Sequence, residues 1–135
     1  MIKLIIMFRP LSGYFLAAWA LFIAVFSSIP SLPVLKLHTQ TSEIRLDYFI
    51  HVAEYGILAF LAYLTFSDKR FTIDARRYSI ITICVTLFAF ADEFHQKIIP
   101  GRSFNINDIY SNLAGILLSV VFCIFIFRRV AARMK

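Results

Sequence analysis

Charge is scarce in this chain. Asp, Glu, Lys and Arg make up 16% of its 135 residues, where a soluble domain carries about 25%. Too little polar surface remains to cover a water-soluble core. Glycine and proline are also few, four of each, and no Gly-rich phosphate loop or low-complexity linker can be drawn from them. The two cysteines, Cys84 and Cys123, both fall inside apolar runs. That placement reads as buried, inert thiols and excludes a disulfide scaffold or a Cys-based zinc signature.

What is present is hydrophobic: 60% of the residues, fifteen of them Phe, with a mean hydropathy of +0.77. This composition predicts an integral membrane protein. The net charge of +6 would raise nucleic acid as a partner in a soluble chain. Here the basic residues sit between apolar runs, so they act as topology determinants and contacts for anionic lipid, and no nucleic acid is expected.

Four spans are expected, at about 11–29, 48–66, 78–96 and 109–127. The first is uncharged throughout and longer than the apolar core of a signal peptide, so it reads as a membrane helix, closed by Pro30 and Pro33. No linker is long enough to separate a second domain. The expected class is therefore all-α: a single bundle of about four transmembrane helices over 1–135, with a polar extracytoplasmic loop between helices 3 and 4. With four spans, the termini and the middle loop share one side and carry ten Lys and Arg, against four on the other. The positive-inside rule then places the chain in the cell membrane with both termini cytoplasmic.

That topology gathers three chain-distant polar clusters at the outer face. In "LDYFIHVAEYG", Asp47, His51 and Glu54 form one stripe of helix 2, flanked by Tyr55. In "ADEFHQ", at the end of helix 3, Asp92, His95 and Gln96 share a face with Glu93 beside them. In "IIPGRSFNIND", Pro100-Gly101 marks a turn, Arg102 lies next to the start of helix 4, and Ser103, Asn105, Asn107 and Asp108 offer helix caps. A helix N-terminus beside an Arg suits a phosphate or carboxylate. The alternative is that Arg102 pairs with Asp92, Glu93 or Asp108 and locks the loop. Asp108, Asn112, Gly115 and Ser119 share a face of helix 4, and Ser111, Gly115 and Ser119 are spaced for close helix contact.

Ionisable residues inside spans are costly and face a bundle interior or a wet cavity. His51, Glu54, Asp92 and Glu93 are candidate acid/base groups. Asp47, His95, Gln96, Arg102, Asp108 and Asn112 are candidate ligand-binding groups. The ligand types would suit a divalent metal, but the spacing fits no established zinc signature, and neither metal nor cofactor is expected. No convincing nucleophile appears, so enzyme activity stays open.

Taken together, Asp47, His51, Glu54-Tyr55-Gly56, Asp92-Glu93, Gln96, Pro100-Gly101-Arg102, Asp108, Asn112 and Gly115 resemble the VanZ-like family of small integral membrane proteins, over about 46–119. Two departures remove charge: Tyr48 stands where the family usually has Lys, and Asn105 where it often has an acid. The resemblance implies a bundle of about four membrane helices and a link to teicoplanin resistance. The partners expected are membrane lipids and a lipid-linked envelope precursor or the lipoglycopeptide itself. The competing reading is a non-enzymatic accessory or partner-binding protein whose polar cluster is structural.

Overall fold

The computed structural model describes residues 2–31, 36–38 and 43–133. The chain begins with α1 (Ile2–Phe8), a 3-10 turn (Arg9–Leu11) and α2 (Ser12–Ser27). After these come α3 (Asp47–Phe66), α4 (Ala75–Gln96) and α5 (Ile106–Arg133). Lys3–Ser27 and the three later helices are each long and apolar enough to cross a membrane, four candidate spans in all. Between α2 and α3, Lys36–His38 (β1) pairs antiparallel with Glu43–Arg45 (β2), Leu37 opposite Ile44. This ladder is too short to alter the all-helical class.

Every span begins earlier than charge alone suggests. The first helix passes through Arg9 because the guanidinium does not stand alone. Its Nη2 donates to the Ser67 carbonyl at 2.7 Å, and the group lies 5.6 Å from the centre of the Phe71 ring. Pro10 sits in the 3-10 turn, where a missing N–H costs least. Helix α4 starts at Ala75 because Asp74 caps it, its Oδ1 accepting the Arg77 N–H at 2.8 Å. Helix α5 continues beyond Arg128 and Arg129 to Arg133, and the Arg129 guanidinium lies 4.0 Å over the Phe125 ring.

The centre of the bundle is a parallel pair. Contacts between α3 and α5 climb together: Asn107 with Tyr48, Gly115 with Gly56, Phe122 with Phe60. Parallel neighbours in a four-span chain are helices two apart in sequence, and only close backbone approach holds them without a short connecting turn. Gly115 supplies it. A Cβ there would sit 2.2 Å from the Val52 carbonyl oxygen and 2.9 Å from the Gly56 nitrogen. In a membrane such packing, rather than apolar burial, drives helix association.

Helices α2 and α4 pack around this pair. Trp19 Nε1 donates to the Glu54 carbonyl at 2.9 Å, tying α2 to α3. The Tyr63 hydroxyl and Thr82 Oγ1 lie 2.7 Å apart, tying α3 to α4. The apolar core runs through Tyr55, Ala59, Tyr63, Ala89, Cys123 and Val130, all fully buried. Cys84 is exposed on the outside of α4, whereas Cys123 is buried. The end opposite the polar cluster is closed by Phe71, buried against Phe127 with ring centroids 5.8 Å apart.

Candidate functional site

The end of α2, the start of α3, the end of α4 and the start of α5 meet at one end of the bundle. The Ser31 N–H donates to the Pro100 carbonyl at 3.2 Å, joining the α2 exit to the α4–α5 turn. Gly101 is needed there: its φ is +76°, and a Cβ would lie 2.2 Å from Ser31 Oγ. The polar clusters that are separate in sequence therefore share one end of the fold.

Within that end the side chains divide into two groups. The first is a connected relay. Tyr55 donates its hydroxyl to Asp92 Oδ2 at 3.1 Å. Gln96 Nε2 donates to the same oxygen at 3.3 Å. Arg102 Nη1 donates to Gln96 Oε1 at 3.1 Å. The rest of the guanidinium reaches α2, with Nη2 on the Phe26 carbonyl at 2.9 Å and Nε on the Ile29 carbonyl at 3.3 Å. Those carbonyls belong to the last turn of α2 and the residues beyond it; the Phe26 oxygen also accepts the Ile29 N–H at 3.3 Å. Arg102 thus fastens the α2 exit to α4 by hydrogen bonds to Gln96 and main-chain oxygens. The loop-locking role raised as the alternative for it is met, with different partners.

The second group lies between α3, α4 and α5. His51 Nε2 is 3.8 Å from Asp108 Oδ2, and His51 Nδ1 is 3.8 Å from Glu54 Oε2. Glu93 has no exposed surface, and Asp108 is also buried. One ligand atom from each of His51, Glu93 and Asp108 lies within 4.8 Å of the others. Asn112, one turn from Asp108 on α5, is fully buried. Among the described residues, both Glu93 oxygens, His51 Nδ1 and both polar atoms of the Asn112 amide have no hydrogen-bond partner.

The α5 start is built locally. Asn105 precedes the helix; its Oδ1 accepts the Asn107 N–H at 3.1 Å, and its Nδ2 donates to Asp108 Oδ1 at 2.9 Å. This arrangement aims the Asp108 carboxylate inward. Asn107 Nδ2 donates to the Tyr48 hydroxyl at 3.4 Å. Both departures from the usual family pattern, Tyr48 and Asn105, therefore serve as neutral hydrogen-bonding partners at the α3–α5 mouth.

Asp47 opens α3 at the same end. His95 lies apart from both groups: its Nε2 is 3.0 Å from Ser28 Oγ, on the α2 side. Sequence spacing put Asp92, His95 and Gln96 on one face, yet Glu93 is the acid that enters the second group. Tyr55 and Trp19 were the partners hardest to foresee. Tyr55 meets Asp92 across 37 positions of chain, and Trp19 meets Glu54 across 35.

Comparison with known families decides the relationship. The family model VanZ/LLP1 matches residues 4–128, nearly the whole chain.

The chain belongs to the VanZ/LLP1 family.

The match extends well beyond 46–119 and takes in all of α2 and most of α5. The VanZ/LLP1 chain is thus a membrane protein with four candidate spans. No curated protein and no solved structure matches it.

Proposed function

We propose that this VanZ/LLP1 protein works at the outer face of the cell membrane, both termini in the cytoplasm, and that its polar end binds the headgroup of a membrane lipid or lipid-linked envelope precursor. The orientation rests on the Lys and Arg asymmetry, ten residues against four. The buried groups without partners carry the binding reading. A cluster that only knits helices together satisfies its own polar atoms, as the Tyr55–Asp92–Gln96–Arg102 relay does. Among the described residues, Glu93 and Asn112 do not. A buried polar group left without a hydrogen bond costs about 1–3 kcal/mol, a large share of the stability of a small domain. A fold that retains such a residue at an interfacial mouth is suited to receiving a ligand there.

Acceptors predominate in the second group, so a headgroup offering N–H or O–H donors suits it. The two guanidinium N–H groups of Arg102 not used in its bonds to Gln96, Phe26 and Ile29 suit its phosphate or carboxylate. Occupying such a site would alter access of a lipid-tailed glycopeptide such as teicoplanin to its precursor at the membrane surface.

Susceptibility to teicoplanin in a sensitive host tests this, with wild type, Glu93→Gln and Arg102→Ala at matched membrane levels and the co-purifying lipids identified for each. The reading expects Glu93→Gln to accumulate normally while losing both protection and the bound lipid. Full activity in Glu93→Gln would refute it. The structural reading, in which the relay alone matters, predicts instead that Arg102→Ala lowers the folded protein level and Glu93→Gln has no effect.

A further inference from the structure

We infer that His51, Glu93 and Asp108 form a binding site for a single divalent transition-metal ion of the Zn2+ or Mn2+ kind, buried between α3, α4 and α5. This deepens, and rests on, the reading of the polar end as a working site.

Four observations carry the inference. The ligand atoms already lie close together, within 4.8 Å of one another, and His51 Nε2 is 3.8 Å from Asp108 Oδ2. Ligand atoms bound to a tetrahedral ion by bonds of about 2.0–2.2 Å lie about 3.4 Å apart, so small side-chain rotations close the site. Each ligand comes from a different helix, and the helices are fixed by contacts elsewhere: α3 to α5 at Gly115, α3 to α4 through Tyr55 and Tyr63.

Among the described residues, Glu93 is fully buried and neither of its oxygens has a hydrogen-bond partner, so its carboxylate is available as a ligand. Glu54 stands behind His51, its Oε2 3.8 Å from Nδ1. A carboxylate hydrogen-bonded to the far nitrogen of a metal-bound histidine holds the proton there and leaves the near nitrogen to bind metal; Glu54 does not yet bond Nδ1, and a small rotation would bring it within reach. One imidazole with two carboxylates favours Zn2+ or Mn2+ over Ca2+ and Mg2+, which prefer all-oxygen shells.

Three protein ligands leave at least one position open. The His51 side chain is 12% exposed, so the site touches the mouth of the bundle. A phosphate oxygen of a headgroup is a fitting occupant for that position. The ion would then reconcile an acid-lined pocket with an anionic ligand, because it reverses the local charge.

The test uses the full chain purified in detergent and stripped with chelator. Zn2+ and Co2+ are titrated into it, with bound metal read by elemental analysis and the Co2+ visible absorption reporting its geometry. Wild type should bind one Zn2+ per chain, and Co2+ should give ligand-field bands. Glu93→Gln and Asp108→Asn should weaken binding by on the order of tenfold or more. Glu54→Gln, acting through His51, should weaken it by about 10–100-fold with the stoichiometry unchanged. Asp74→Asn, at the opposite end, should leave it unaltered.

Substoichiometric Zn2+ in wild type overturns the site whatever the variants do, as does equal affinity in Glu93→Gln. Should Glu93→Gln aggregate, His51→Gln takes its place under the same criterion. Binding of phospholipid vesicles with and without chelator separates the two proposals. Zn2+ bound without any headgroup affinity leaves the ion site standing and removes the headgroup reading. Headgroup binding that persists unchanged in a chain shown to take no Zn2+ removes the ion site alone.

Discussion

Gly115→Ala is the sharpest perturbation the fold offers. The added methyl would begin 2.2 Å from the Val52 carbonyl oxygen, 2.9 Å from the Gly56 nitrogen and 3.0 Å from the Val52 carbonyl carbon. All three are main-chain atoms, so no side chain can rotate aside. Ordinary contact begins at 3.4 Å, so α3 and α5 must part locally by about 1.2 Å. Overpacking of this kind costs about 1–3 kcal/mol, and a rigid neighbour puts the cost near the upper end. Alanine's helix propensity returns about 1 kcal/mol. The expected net loss is therefore about 1–2 kcal/mol.

Reversible unfolding in mixed detergent micelles would measure it. Gly13→Ala is the control, because a Cβ there meets only Thr65 Cγ2 at 3.8 Å. Gly115→Ala within about 0.5 kcal/mol of wild type would refute the reasoning, since ordinary surface changes fall in that range. So would an equal loss in Gly13→Ala. The same separation would spread His51 from Asp108, so Zn2+ affinity should fall together with stability.

Three further outcomes are expected. Arg102→Lys cannot span Gln96 and the two α2 carbonyls at once, so amide hydrogen exchange should quicken across Phe26–Ile29 and stability should fall by about 1–2 kcal/mol. Tyr55→Phe removes one of two donors to buried Asp92 and should cost about 1–3 kcal/mol in the same unfolding assay. At the opposite end Asp68 is held below its usual pKa of 3.8 by the Thr72 hydroxyl and the Thr72 and Arg70 N–H groups. A lowered folded pKa means its stabilising effect is complete above 3.8 and lost as pH falls through the lower folded value. Thermal unfolding of wild type should thus weaken more steeply with acid below that pH than Asp68→Asn, and parallel profiles would contradict it.

Much of this protein is legible in its sequence for a simple reason. A bilayer leaves few structural options, and an uncharged run such as 11–29 has only one, a helix that crosses it. From that follow the four spans, the shared end for 47–54, 92–96 and 102–112, and the small face at Gly115. Helix ends were less legible. Charge marked them at Arg9, Arg77 and Arg128, whereas tertiary partners for Arg9 and the Asp74 cap carry the helices past those marks.

The division of the polar end belonged to the tertiary structure alone. Spacing along one helix fixes which residues share a face, but not which face meets which neighbour. Asp92 and Glu93 are adjacent, yet the 100° between successive helical residues sends one to Tyr55 and Gln96 and the other to the side of His51 and Asp108. Arg102 could have met any of three acids; the position of the α2 exit gave it main-chain carbonyls instead. The sequence by itself determined that these residues gather at one end of a membrane bundle. Only the packing of α3 against α5 at Gly115, which sets the rotation of both helices, decided which of them are satisfied and which are left facing one another.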